Sequence, residues 1–91
     1  MQKSKDIIYI KSRYGDIHKL ERIGGEDSCL FLFIPTSEYT RIGYNKDGSY
    51  AFIDPSGGPF LQVGDTVEEL DRTIKSICQS PDRGYIIEFE K

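Results

Sequence analysis

The chain predicts a mainly β fold, a small antiparallel sheet or a partly open barrel, on three observations. Short runs of β-branched and aromatic residues recur along it, most clearly in the segment 41–67, RIGYNKDGSYAFIDPSGGPFLQVGDTV. Gly-, Asp- and Pro-rich turns separate those runs. The C-terminal YIIEFE places Tyr85, Ile87 and Phe89 at every second position, with Glu88 and Glu90 alternating with the last two, the period of a strand with one solvated face. No internal repeat or linker interrupts the 91 residues, so a single small globular domain is expected over 1–91.

The elements follow in order. Ile7 to Lys11, IIYIK, predicts a first strand, followed by a Gly15-Asp16 turn. In the next piece Ile17, Leu20 and Ile23 recur every three residues, which suits a short amphipathic helix or a bulged strand. Eight residues are few for a helix, so the strand is preferred, ended by Gly24-Gly25. Leu30 to Ile34 is a continuous apolar run stopped by Pro35, the pattern of a central strand covered on both faces.

Arg41 to Tyr44 and Ser49 to Asp54 read as a hairpin around Asn45-Lys46-Asp47-Gly48, where Asp47 and Gly48 tolerate positive φ. The loop Pro55 to Pro59 breaks the sheet, and Phe60 to Val63 resumes it. Two readings compete for 66–80. Thr66 and Glu69 have capping-box spacing and Val67, Leu70, Ile74, Ile77 and Cys78 recur at helical intervals, so one short helix over 66–78 is one reading. The other, preferred for Thr73 to Gln79, is a hairpin turning at Pro81 to Gly84 with one bulge near Ile77. The PFLQVGDTV cadence of strand, Gly-Asp turn and strand resembles that of SH3-like barrels, without establishing a family; the barrel expected is a partly open SH3/OB-like one.

A net charge of -3 repels polyphosphates and disfavours non-specific nucleic-acid binding. The apolar run Ile7 to Ile10 is far too short for a secretion signal or a membrane span, so a cytoplasmic protein with no membrane partner is expected. In a reducing compartment Cys29 and Cys78 are expected as free thiols packed in the core.

Catalytic and metal chemistry find no motif. His18 is the only histidine and lacks the partners of a zinc site, so it reads as an exposed or hydrogen-bonded side chain beside the sheet. The segment Asp54, Ser56, Gly57, Gly58 offers glycines and polar groups for a ligand, yet reads more simply as a proline-pinned turn or interaction loop. It matches neither a P-loop nor an aspartic-protease triplet. No cofactor, metal or catalytic residue is expected.

Six tyrosines and five phenylalanines without tryptophan leave several tyrosines beside cations, as at Tyr39 with Arg41 and Tyr44 with Lys46. Tyr and Arg combine large buried area with a polar end, which suits binding surfaces. Tyr39, Arg41, Tyr44, Lys46 and Tyr50 are therefore the candidate protein-binding residues. The function expected is a non-enzymatic protein-protein interaction module or small regulatory or inhibitor protein. The alternatives are a single-stranded nucleic-acid-binding OB/SH3-like domain and a small-molecule-binding protein or small enzyme using the 54–59 loop. An unpaired sheet edge also makes a homodimer by strand addition an expectation.

Overall fold

The computed structural model describes residues 6–11, 17–35, 41–53 and 57–91, and all regular structure in them is β. The strands are β1 (Ile7–Lys11), β2 (Ile17–Ile23), β3 (Leu30–Phe33), β4 (Arg41–Tyr44), β5 (Tyr50–Ile53), β6 (Pro59–Gln62), β7 (Thr66–Val67), β8 (Arg72–Gln79) and β9 (Tyr85–Phe89). Six form a curled antiparallel half-barrel in the order β1-β2-β3-β9-β8-β7, and β4-β5-β6 form a second, three-stranded sheet.

The core lies between the two sheets. Ile8, Leu20, Phe31, Phe33, Ile74, Ile77, Ile87 and Phe89 of the larger sheet cluster with Phe52 and Leu61 of the smaller one. Phe33 and Phe52 meet edge to face at 4.7 Å between centroids, a direct contact between the sheets. Burying each such side chain contributes about 1.5–3 kcal/mol before entropy is counted.

The 41–53 hairpin forms as the sequence predicts. Asn45 N–H donates to Ser49 O at 2.9 Å, Gly48 N–H to Asn45 O at 2.9 Å, and Asp47 Oδ1 accepts from Ser49 N–H at 2.9 Å. Only Gly48, at φ +88°, takes the left-handed conformation in this turn; Asp47 instead accepts hydrogen bonds with its carboxylate.

The helix reading of 66–78 is corrected, because those residues form β7, a tight turn and β8. Val67 O accepts from Leu70 and Asp71 N–H groups, and Asp71 adopts φ +52°, which lets Arg72 return opposite Val67. The helical spacing has a physical source. The β8–β9 register slips between Ile74 and Ser76, immediately before Ile77, so Ile74 and Ile77, three apart, both reach the core.

Three further expectations are corrected. Of the two readings of His18 the exposed one is overturned: it is buried, with 1% exposure, because β2 needs no bulge and alternates His18 and Leu20 inward while Ile17 stands 60% exposed. Cys78 is exposed, since the slip at Lys75 turns Ile77 inward and Cys78 out; Cys29 is half-buried against the core, and both thiols are free. The two faces of β3 are unequal: Phe31 and Phe33 are buried but Leu30 and Leu32 only half-buried, and the strand ends at Phe33.

Candidate functional site

The half-barrel is not closed within the described residues: β1 and β7 are the edges of its sheet. In an antiparallel pair, residues alternate between bonding the neighbouring strand and directing N–H and C=O away from it. Arg22 N–H donates to Asp6 O at 2.7 Å, which sets the phase of the β1–β2 ladder. Ile8 and Ile10 therefore bond β2, and Ile7, Tyr9 and Lys11 turn their backbone groups outward. No described residue hydrogen-bonds to that side of β1.

The same reasoning fixes β7. Ile74 N–H donates to Asp65 O at 2.8 Å, so Thr66, the next residue, directs its N–H and C=O away from β8. The 3.0 Å contact between Thr66 Oγ1 and Thr73 Oγ1 is the close side-chain approach expected of a non-hydrogen-bonded pair.

These two edges line one groove of about 400 Å³, within the range of ligand sites. Tyr9, Ile10 and Lys11 contribute one wall, Thr66 and Val67 with Glu68 and Glu69 the other, and Phe60, Leu61 and Asp65 complete it. Phe60 reaches this position through a bulge. The β5–β6 register slips between Phe52 and Ile53, leaving Phe60 as the extra residue, and its ring stacks on buried His18 at 4.8 Å. Among the described residues, the groove is lined by one lysine and three carboxylates.

A second feature runs through the molecule from this groove. From Phe60 the rings of His18, Phe33, Phe52, Tyr85, Tyr50 and Tyr44 follow in contact, with successive centroids between 4.7 and 5.5 Å. It emerges at Tyr44, 71% exposed. Burial, followed by the adjacent Tyr44 phenol, raises the pKa of Tyr50 above its ordinary 10.0; Tyr85 and Cys78 add to the effect.

Of the candidate binding residues, the structure brings Tyr44 and Tyr50 together as a directly opposed pair on β4 and β5, with exposed Lys46 in the turn beyond them. Arg41 lends its backbone to β4 opposite Ile53, while its side chain and all of Tyr39 lie outside the described residues. In the loop, Asp54 and Ser56 also lie outside them; Gly57 takes φ +90° and Gly58 is half-buried.

The groove residues were not singled out from the sequence. Their only local signal is a two-residue strand, Thr66-Val67, hemmed between a Gly-Asp turn and two glutamates. Elsewhere, Arg22 is structural: its guanidinium lies 4.7 Å over the Phe31 ring, Nε is 3.3 Å from Asp6 Oδ1, and Nη1 donates to Ser28 O. Among the described residues no group of three or more His, Cys, Asp or Glu side chains could hold a metal ion, and no helix is long and apolar enough to cross a membrane. Comparison with family models, curated proteins and solved structures finds no match to this chain.

Proposed function

We propose that this chain is a non-enzymatic protein-interaction module that receives an extended segment of its partner between β1 and β7. The observation that carries the reading is the groove in which two sheet edges present free backbone groups from Tyr9, Lys11 and Thr66. Strand addition uses such groups for affinity and alternate side-chain contacts for specificity. The Tyr44 end of the aromatic series is a second contact area in the same role. Three carboxylates in the groove and a net charge of -3 weigh against a nucleic-acid ligand. A reducing, cytoplasmic setting is part of the proposal, supported by two free thiols.

Selection of binders from a displayed library of random peptides, followed by amide chemical-shift mapping, tests it. The expected result is peptides that shift Tyr9, Lys11 and Thr66, and that lose affinity at least tenfold to Tyr9→Pro but far less to Tyr9→Ala. Proline removes an N–H that points into the groove, where an edge strand tolerates it. Peptides that map elsewhere, or that ignore the proline, overturn the reading.

A further inference from the structure

We infer that the groove's occupant is one isolated basic strand, alternating cationic and apolar side chains and running antiparallel to β1. The inference rests on the strand-addition reading and adds the partner's chemistry.

The occupant is a lone segment because of what flanks it. A strand between β1 and β7 has both of its own edges covered. A second copy of this chain offering β1 brings β2 already bonded to one side of it, and that β2 would fall where β7 stands. An extended peptide with two free edges has no such conflict. Alternating antiparallel pairing from β1 across to β7 makes those two edge strands run in opposite directions. Any inserted strand is therefore antiparallel to one and parallel to the other. β1 has five residues against two in β7, so it sets the direction.

The side-chain pattern follows from the pleat. Ile10 on β1 and Val67 on β7 point to the core side, and Leu61 and Phe60 lie in the same groove. A peptide residue aligned with them faces apolar surface. Its two neighbours in sequence point outward with Tyr9, Lys11 and Thr66, where Glu68 and Glu69 are exposed and Asp65 is half-buried. Among the described lining residues, Asp65 and Glu68 outnumber Lys11 as charges, so cations are favoured at those outward places.

The test compares three fluorescein-labelled heptapeptides by anisotropy at low ionic strength: alternating lysine and valine, alternating glutamate and valine, and the lysine peptide N-methylated along its backbone. The lysine peptide is expected to bind about tenfold tighter than the glutamate one, with most of that advantage lost to added salt and part of it to Glu68→Gln. N-methylation is expected to abolish binding, because it removes the backbone donors. Equal affinity for lysine and glutamate peptides, with the N-methylated one inactive, overturns the charge inference and leaves strand addition standing. An N-methylated peptide that binds as well as its parent overturns strand addition itself. Absence of binding by all three overturns both.

Discussion

Gly84 is a position where a single methyl group meets almost no room. It takes φ +76° in the β8–β9 turn, where its C=O accepts from Ser80 N–H at 3.0 Å. A Cβ there would sit 2.7 Å from the Phe33 carbonyl oxygen and 2.9 Å from Ile34 Cγ1. Gly84→Ala is expected to cost about 2 kcal/mol or more, combining left-handed strain with that clash, read as a fall in the urea midpoint. Gly48, at φ +88° with open space around it, carries the strain alone, so Gly48→Ala should cost roughly half as much. Tyr50 gives a pH dependence of definite sign. Its folded pKa is raised above 10.0, so its contribution is complete below pH 10.0 and is lost as pH rises through the folded value. Alkaline unfolding followed by circular dichroism should therefore start above pH 10, and Tyr50→Phe should flatten its onset. Asp47 has the opposite sign: its pKa is lowered from 3.8 chiefly by the Ser49 hydroxyl, then by the Ser49 N–H. Its contribution stands above pH 3.8 and fades as the pH falls below.

At the scale of elements, β3 is the strand on which the fold depends most. It bonds β2 on one side and β9 on the other, and its Phe33 is buried against Phe52 across the core. Phe33→Ala is expected to cost about 3–5 kcal/mol in equilibrium denaturation, and a wild-type melting curve would remove β3 from the core. This strand was legible because Leu30 to Phe33 is apolar throughout and Pro35 ends it, both local signals. The 41–53 hairpin was legible for the same reason, through Asn45 to Gly48. Thr73 to Gln79 was legible as a strand only as the preferred of two readings, because a bulged strand and a helix can both place apolar residues three apart on one side; Ile74 and Ile77 satisfy either. Only pairing with β9, which is remote in sequence from Val67, decides between them. His18 misled in the other direction. With no zinc-site partners in the sequence, the histidine reads as exposed or hydrogen-bonded beside the sheet, whereas strict alternation along β2 puts it between Phe33 and Phe60. The ring's acceptance there depends on a bulge at Phe60 in the other sheet, and no feature near His18 announces that.

At the scale of the whole molecule, the candidate groove was invisible in the sequence because it belongs to no segment. It exists where β1, near one end of the chain, comes round to β7, and neither strand differs in composition from one that is paired. The tyrosine and arginine pattern pointed instead to Tyr44 and Tyr50, which the structure does place side by side. The incomplete barrel also grades the molecule from side to side. β3, β9 and β8 are held by neighbours on both flanks, β1 and β7 on one. Amides that bond β2, such as Ile8 and Ile10, should exchange with deuterium by local opening, while those of Phe31 and Ile87 should wait for global unfolding. A bound strand would erase that difference on the β1 side, since releasing Ile8 or Ile10 would then require the ligand to leave. The opening free energy of one strand would thereby become a direct gauge of how fully the barrel is closed.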